Sequence, residues 1–434
     1  MVDSASRLLQ RLDDRTAKVA IVGQGYVGLP VAIRAAEVGF PVVGYDVSSG
    51  RIASLRDGRS YVEDVSDDRL ASALEAGYWP TADPLDLRAF DVAVITVPTP
   101  LREGAPDLSY IEGAARDLSS RLEPGALVVL ESTTYPGTTD ELVRPILEES
   151  GLTAGRDFFL GYSPERIDPG NPKWTFVNTP KVVSGIDGES LRTVESFYGS
   201  LVETVVPVSS PGEAELVKLL ENTFRHVNIA LVNELAMFAR ELGVDIWSAI
   251  DATSTKPFGF MRFTPGPGVG GHCLPIDPSY LAWRVERRLG HRFRFVELAN
   301  DVNSHMPEYV VSRIVAMLNG ERKAVRDSRI LLIGFAYKSG TSDIRESPSL
   351  DVALRLRALG GDLRVHDDHL PAGADLGLEV ERVPCSDEEL EGADLVVVLV
   401  DHPDLPRERI AARSRLVLDT RACLRGYTFR GELL

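Results

Sequence analysis

A single cysteine, Cys273, lies in a segment rich in glycine and proline, residues 263–280, which reads FTPGPGVGGHCLPIDPSY. Glycine lets a backbone approach a ligand closely and proline restricts the chain, so this composition predicts a rigid, backbone-lined pocket. The segment delivers a thiol, a candidate nucleophile, together with His272 and Asp277. A surface loop with a buried, inert cysteine is the alternative, because free cysteine is among the most buried residue types.

A second group of candidate residues lies in a long helical pattern, residues 212–242. Lys218 and Asn222 are four residues apart, so they share a helix face. A buried lysine is rare unless it is paired or functional. Apolar residues occupy most of the helix circumference, which predicts burial between domains or subunits. They are Leu219, Leu220, Phe224, Val227, Leu231, Leu235 and Phe238.

A glycine motif near the amino terminus has the context of a dinucleotide site. A buried-strand run, residues 18–22 (KVAIV), leads into Gly23-Gln24-Gly25-Tyr26-Val27-Gly28 and then a helical pattern to about Val38. A second strand, residues 41–45, ends in Asp46, whose carboxylate can bind a ribose 2′-hydroxyl and would repel a 2′-phosphate. The motif therefore predicts NAD rather than NADP.

Two further strands end in loops rich in hydroxyl side chains. Residues 91–97 run into Pro98 and Thr99, and residues 126–130 precede Ser132 and Thr133. In a doubly wound sheet the ligand crevice lies beyond the carboxyl ends of the strands, where these side chains would sit. Ordinary turn chemistry is the alternative.

The pattern predicts an α/β fold of two Rossmann-like doubly wound domains joined by a long central helix and a helical middle section. We expect boundaries at 1–210, 211–322 and 323–434. The third region starts with a strand, residues 329–334, but lacks the glycine fingerprint. Lys338 and Arg345 follow that strand and could supply cations to a phosphorylated ligand.

Composition limits the function classes. The chain has 434 residues and a net charge of −17, which disfavours non-specific nucleic-acid binding. Three cysteines without metal-like spacing argue against a disulfide framework and against a zinc site. The sequence predicts neither a membrane span nor a signal peptide, so we expect a cytoplasmic protein.

Taken together, the motifs resemble the UDP-glucose and GDP-mannose dehydrogenase family of nucleotide-sugar 6-dehydrogenases. The resemblance runs through VGQGYVGLP, YSPER, ENTFRHVNIALVNELA, PGPGVGGHCLPIDP and FAYKSGTSDIRESPS. It implies an NAD-dependent enzyme that oxidises C6 of a nucleotide sugar to a carboxylate. It also implies a homodimer through the central helix, with a higher oligomer left open.

The resemblance also implies roles. Cys273 would form a thiohemiacetal and then a thioester, Lys218 and Asn222 would hold the oxyanion, and Asp277, Glu165 and Thr133 would manage protons and water. The cofactor set is Gly23, Gly25, Tyr26, Val27, Gly28, Asp46, Arg51, Pro98, Thr99, Ser132 and Thr133. The substrate set is Glu165, Arg166, Lys218, Asn222, Phe263, Gly270, Lys338 and Arg345. His272 stays outside the catalytic set, since loop packing accounts for it.

The sequence says less about which nucleotide sugar is the substrate. Members acting on glucose commonly carry a second glutamate four residues beyond the position of Glu165, where this chain has Pro169. The form SPERIDPGN resembles the branch that acts on 2-acetamido sugars, while the base, uracil, thymine or guanine, stays open. One alternative function is a catalytically silent nucleotide-sugar-binding scaffold. Another is a two-electron alcohol or 6-phosphogluconate-type dehydrogenase, although such enzymes lack the thiol.

Overall fold

The computed structural model describes residues 2–102, 104–168, 171, 173–271 and 274–434. The chain forms two compact units, one of residues 1–221 with 279–290 and the other of residues 222–278 with 291–434. Cys273, His272, Pro169 and Gly170 lie outside the described residues.

The first unit alternates strands and helices. Its strands are β1 Val19–Val22, β2 Val42–Tyr45, β3 Tyr78–Thr81, β4 Val92–Ile95, β5 Leu101–Arg102, β6 Ala105–Pro106, β7 Leu127–Leu130, β8 Phe159–Tyr162, β9 Lys181–Gly185 and β10 Val205–Pro207. Its helices are α1 Val2–Asp13, α2 Gly28–Glu37, α3 Ser49–Arg56, α4 Asp67–Glu75, α5 Ser109–Ser119, α6 Arg144–Glu148 and α7 Gly188–Gly199. A 3₁₀ turn, Pro84–Leu87, and a π-helical turn, Thr139–Val143, complete it.

Eight of these strands form one sheet in the order β10-β9-β8-β7-β4-β1-β2-β3. Every neighbouring pair is parallel except β8 with β9. In β1, Val19 and Ile21 join one buried apolar cluster, whereas Ala20 and Val22 join the cluster on the other face. The strand reads as a continuous apolar run because both faces of the sheet are covered.

The part of the sequence between β10 and the next sheet forms two long helices and two shorter ones. They are α8 Pro211–Glu241, α9 Ile246–Ser254, α10 Asp277–Leu289 and α11 Arg294–Gly320. Because α10 begins at Asp277, the proline- and glycine-rich segment ends in a helical first turn rather than continuing as a loop to residue 280. No helix in the described part of the chain is long and apolar enough to cross a membrane.

The second unit carries a six-stranded parallel sheet in the order β13-β12-β11-β14-β15-β16. Its strands are β11 Arg329–Ile333, β12 Asp362–His366, β13 Glu381–Arg382, β14 Leu395–Val398, β15 Val417–Asp419 and β16 Gly431–Leu433. Its helices include α12 Pro348–Ala358, α13 Asp387–Gly392 and α14 Arg407–Arg413. The alternation seen in β1 recurs in β11, where successive residues contribute to two different clusters. The predicted pair of Rossmann-like sheets is confirmed.

Candidate active site

The glycine turn after β1 has the geometry of a phosphate cradle. Gly23 has a φ of +97°, and a Cβ there would lie 2.8 Å from the Thr96 carbonyl oxygen. A Cβ on Gly28 would lie 1.8 Å from the Gly23 carbonyl oxygen, so only glycine fits where α2 begins. A Cβ on Gly25 would meet no atom within 4 Å, which leaves open space beside the turn. The turn therefore fits a dinucleotide pyrophosphate.

Asp46 follows β2 at the same edge of the sheet. Its Oδ2 accepts a hydrogen bond of 2.9 Å from the Gln24 backbone N–H, and its Oδ1 accepts one of 2.8 Å from Ser48 N–H. Arg51 lies on its exposed side, with Nη1 at 3.5 Å from Oδ2. The carboxylate is thus fixed beside the glycine turn, as the chemistry of a ribose-binding acid requires. These residues fit NAD.

The loops after β4 and β7 are joined by hydrogen bonds between the predicted residues. The Thr99 hydroxyl donates to the Thr133 carbonyl oxygen at 2.9 Å, and the Ser132 hydroxyl donates to the Val97 carbonyl oxygen at 2.8 Å. Thr96 was missed in the sequence, and its hydroxyl donates to the carbonyl oxygens of both Val22 and Gly23. Thr96 fell inside the predicted strand, residues 91–97, whereas the strand ends at Ile95 in the structure, which is why the residue was missed.

The remaining predicted cofactor residues differ in exposure. Tyr26 and Pro98 are exposed, while Val27 is half-buried. Their contacts with a cofactor stay predictions.

Glu165 and Lys218 come together in the first unit. Both residues are 8% exposed, and the Lys218 ammonium donates a hydrogen bond of 2.5 Å to the Glu165 backbone carbonyl oxygen. The Glu165 side chain accepts one of 2.5 Å from Ile167 N–H. Burial favours a raised pKa for this carboxyl, but the ammonium groups of Lys181 and Lys218 outweigh burial and hold the pKa of Glu165 below its usual value. Glu165 is therefore ionised at neutral pH.

Arg166, the next predicted residue, is engaged within the protein. Its guanidinium donates to Glu221 Oε1 at 2.6 Å and to the Pro180 carbonyl oxygen at 2.5 Å. A direct substrate contact by Arg166 stays a prediction.

Asn222 and Asp277 come together in the second unit. The Asn222 Nδ2 donates to Asp277 Oδ2 at 2.6 Å, and the two residues are 5% and 2% exposed. The contact pairs a residue of α8 with the first residue of α10. An amide held by a buried carboxylate has a fixed orientation, which a donor to a developing oxyanion needs.

The glycines before residue 272 pack against protein atoms. A Cβ on Gly270 would lie 2.5 Å from the Glu346 carbonyl oxygen, and one on Gly271 would lie 2.6 Å from the Tyr337 ring. Phe263 packs edge-on against Phe224, with ring centroids 5.8 Å apart. Close approach to this neighbouring loop, 337–346, accounts for both glycines.

A cavity of about 330 Å³ in the second unit is lined by four cationic side chains. They are Arg262, Lys338, Arg421 and Arg425. Of the two predicted cations, Lys338 lines this cavity, whereas Arg345 is not among its lining residues and pairs with Asp343 at 2.5 Å. The three arginines were missed because no motif marks them. Guanidinium groups around a cavity suit a diphosphate.

No cluster of three or more metal-ligating side chains occurs in residues 2–102, 104–168, 171, 173–271 and 274–434.

Profiles of one protein family match most of the chain. The NAD binding domain of the UDP-glucose/GDP-mannose dehydrogenase family matches residues 17–202, its central domain residues 212–305, and its UDP binding domain residues 331–426.

Several named dehydrogenases are similar to the chain over most of its length. The chain is 35% identical to UDP-N-acetyl-D-mannosamine dehydrogenase of Pyrococcus horikoshii, over 95% of this chain and 98% of that one. It is 38% identical to UDP-N-acetyl-D-glucosamine 6-dehydrogenase of Pseudomonas aeruginosa, over 82% and 83% of the two chains. A solved UDP-glucose dehydrogenase from Pyrobaculum islandicum superposes with a TM-score of 0.85 at 29% identity, covering 96% of this chain and 97% of that one.

Proposed function

Since the chain belongs to the UDP-glucose/GDP-mannose dehydrogenase family, as an NAD-dependent nucleotide-sugar dehydrogenase, we propose that it performs a four-electron oxidation at C6 of a 2-acetamido sugar nucleotide. The product is the corresponding uronic acid. The observation that supports this most directly is the pair of buried contacts made from α8, Lys218 to Glu165 and Asn222 to Asp277. They hold two hydrogen-bond donors in fixed orientations, one against the Glu165 backbone and one against the Asp277 carboxylate.

The chemistry needs a nucleophile, an oxyanion site and a base. Bound NAD supplies a hydride acceptor in each of the two oxidations. The Cys273 thiolate adds to the C6 aldehyde, forming a thiohemiacetal, and the second oxidation leaves a thioester on the same sulfur. Lys218 and Asn222 donate hydrogen bonds to the oxygen that bears negative charge.

Hydrolysis then releases the acid. Glu165, ionised because of its two neighbouring cations, removes a proton from the attacking water. The C–S bond breaks, the thiolate of Cys273 is restored and the carboxylate leaves. Thr133 and Asp277 orient the water and the reacting oxygen.

The sugar is proposed from the relatives and from the loop after Glu165. Proteins similar to this chain are named for N-acetylmannosamine and N-acetylglucosamine nucleotides. The segment SPERIDPGN lacks the second glutamate that members acting on glucose commonly carry. The cations of the second-unit cavity are proposed to bind the diphosphate, with Arg262, Arg421 and Arg425 added to Lys338.

We also propose a homodimer through α8. Its large apolar side chains are exposed in the single chain: Leu220 62%, Phe224 46%, Leu231 52%, Leu235 44% and Phe238 55%. Their spacing of four, seven, four and three residues keeps them on one face of the helix. Such a stripe is typical of a protein interface. The predicted division at 1–210, 211–322 and 323–434 and the cytoplasmic location remain predictions.

A substrate panel tests the function. UDP-glucose, TDP-glucose, UDP-N-acetylglucosamine, UDP-N-acetylmannosamine and GDP-mannose should be compared by kcat/KM, from NADH absorbance at 340 nm. We expect the two acetamido substrates to rank first, with two NADH per sugar acid. A silent scaffold would bind a nucleotide sugar and give no NADH with any of them.

A further inference from the structure

We propose that Glu131 and Lys181 form a buried carboxylate–ammonium pair that positions Glu165 and sets its basicity during thioester hydrolysis. This inference rests on the proposed function, because it assigns Glu165 as the base. Neither Glu131 nor Lys181 was among the residues predicted from the sequence.

Sheet topology brings the two residues to Glu165. Glu131 directly follows β7, while Lys181 begins β9, which runs antiparallel to β8. The β8–β9 register pairs Tyr162, the last residue of β8, with Ser184. Glu165 follows three residues after the end of β8, and Lys181 lies three residues before Ser184, so both residues lie at the same edge of the sheet. Because β9 runs antiparallel to β8, its first residue, Lys181, lies at the edge where β7 and β8 end.

The contacts are close and buried. The Lys181 ammonium forms an ion pair with Glu131 Oε1, lies 3.7 Å from Glu165 Oε2, and donates to the Pro164 carbonyl oxygen at 3.2 Å. The Tyr198 hydroxyl donates to Glu131 Oε2 at 2.6 Å. Lys181 is 4% exposed and Glu131 1%. Both oxygens of Glu131 are thus used, and its position is fixed.

Glu165 keeps one oxygen for chemistry. Its Oε2 has no hydrogen-bond partner among the described residues, whereas Oε1 accepts from Ile167 N–H. A general base needs such an unused lone pair to accept a proton. Lys181 stabilises the charge on this oxygen at 3.7 Å without occupying it by a hydrogen bond.

Three charged groups from different parts of the fold surround Glu165. Lys181 and Lys218 supply two positive charges, and Glu131 supplies a negative charge held by Tyr198. Burial raises the pKa of Glu131 to about 7, and repulsion by Glu165 acts in the same direction against the attraction of Lys181. Ionised Glu131 repels ionised Glu165, whereas neutral Glu131 does not. Titration of Glu131 therefore changes how strongly Glu165 attracts a proton.

A buried ion pair seldom adds stability over an apolar replacement, because desolvation offsets the attraction. A positioning role explains why the chain keeps two carboxylates and a lysine together in its sheet edge. If the pair has this role, removing Lys181 changes the pH dependence of thioester hydrolysis. If the pair is purely structural, that pH dependence stays as in wild type.

The test follows decay of the covalent sugar adduct by rapid quench and intact mass, from pH 5 to 9, in the full-length enzyme. In the pH profile of the adduct decay rate, Lys181→Met should shift the acid limb to higher pH by about one to three units. An opposite charge near a carboxyl lowers its pKa by about that amount, and the variant removes this charge. Lys181→Arg should restore the wild-type limb. Lys323→Met, which removes a half-exposed lysine paired with Asp394, is the matched control and should leave the limb in place.

Glu131→Gln gives an independent measurement that retains side-chain size. Wild-type adduct decay should show an inflection near pH 7 that Glu131→Gln abolishes, while NAD binding stays at the wild-type level. An acid limb unmoved in Lys181→Met, or an inflection that persists in Glu131→Gln, overturns the inference. If Lys181→Met does not fold, the Glu131→Gln inflection decides. Absence of NADH from wild type with every nucleotide sugar would instead refute the proposed function.

Discussion

The Asn222 side chain donates a hydrogen bond of 2.6 Å to the Asp277 carboxylate. This contact orients one amide of α8, and the contact of Lys218 with the Glu165 carbonyl oxygen orients the ammonium one turn earlier. If Lys218 and Asn222 donate to the reacting oxygen, as proposed, their orientations are fixed before the substrate arrives and need no reorganisation when negative charge develops on that oxygen. The arrangement makes the contribution of each donor separately measurable.

Removal of either donor should slow turnover. We expect Asn222→Ala and Lys218→Ala each to lower kcat by about a hundred- to a thousandfold, with smaller changes in KM, because the lost contact acts on the transition state. Steady-state NADH formation measures this. Asn319→Ala, at an exposed position near the end of α11, is the control. Equal losses in the control would point to global damage.

Cofactor preference should depend on Asp46. Asp46→Asn removes the charge that repels a 2′-phosphate, while Arg51, 3.5 Å from Oδ2, stays available to attract one. We expect the NAD-to-NADP ratio of kcat/KM to fall by at least about tenfold, a change of about 1.4 kcal/mol. In the double variant Asp46→Asn, Arg51→Ala, part of this gain for NADP should disappear. A wild-type enzyme that prefers NADP would contradict the assignment.

The oligomeric state should depend on the exposed stripe of α8. Leu231→Glu with Phe238→Glu places charges where each subunit would bury apolar side chains, each worth roughly 1.5–3 kcal/mol. We expect the dimer dissociation constant to rise by at least about a hundredfold in sedimentation equilibrium. Leu354→Glu, at a 43% exposed position in α12, should leave it unchanged. A wild type that is monomeric at high concentration would refute the dimer.

The sequence could predict elements whose signal is local. We located three features within a few residues of their observed positions: the glycine turn, Asp46 and the long helix. Apolar runs, glycine spacing and helical periodicity are signals between residues that are close in the sequence. The short strand β3, Tyr78–Thr81, was missed, since YWPT carries a proline and little periodicity.

Contacts between distant segments could not be predicted in this way. Lys181 reaches Glu131 only because β9 reverses direction, and the antiparallel pairing has no local signal. The cationic cavity likewise joins Arg262 with Arg421 and Arg425, which lie more than 150 residues away in the sequence. Each arginine by itself resembles a solvated surface residue.

Asp367 should stabilise the second sheet in a pH-dependent way. Burial acts to raise the pKa of this carboxyl, but His402 and the backbone N–H groups of Phe335 and Ala336 outweigh it and lower the pKa from 3.8 to about 2. Because the folded-state pKa is the lower one, the stabilisation is complete above about pH 4 and is lost as the pH falls toward 2. The shift corresponds to ~2 kcal/mol at neutral pH.

Asp367→Asn should therefore lower the free energy of unfolding at pH 7 by ~2 kcal/mol and differ little from wild type near pH 2. Hydrogen exchange of peptides that contain β11 measures this change locally. It should be followed at pH 7 and near pH 2, with each rate corrected for the pH dependence of intrinsic amide exchange. Asp368→Asn removes a neighbouring, exposed carboxylate and is the control. An Asp367→Asn effect that is the same at both pH values would refute the assignment.

Covalent catalysis by Cys273 makes the most demanding prediction. If the thiol captures the aldehyde, wild-type enzyme should give two NADH per sugar acid, with no free aldehyde detected by a carbonyl trap. Cys273→Ser replaces a thiolate with a poorly ionised hydroxyl, so turnover should fall by several orders of magnitude. NAD binding should stay near the wild-type level, because the glycine turn and Asp46 are unchanged.

The hydrolysis step distinguishes the proposed role of the Cys273 thiol from that of Glu165 as the base. Glu165→Gln retains the size of the side chain and its contact with Ile167 but removes the ionised oxygen near Lys181, so water loses its proton acceptor. A sugar adduct on Cys273 should then accumulate in a single turnover and be visible by intact mass, whereas Glu165→Gln combined with Cys273→Ala should show none. Cys273→Ala that still yields two NADH per sugar acid at near wild-type rate would remove the thiol from the reaction, and hydrolysis of a thioester would no longer be the step that Glu165 serves.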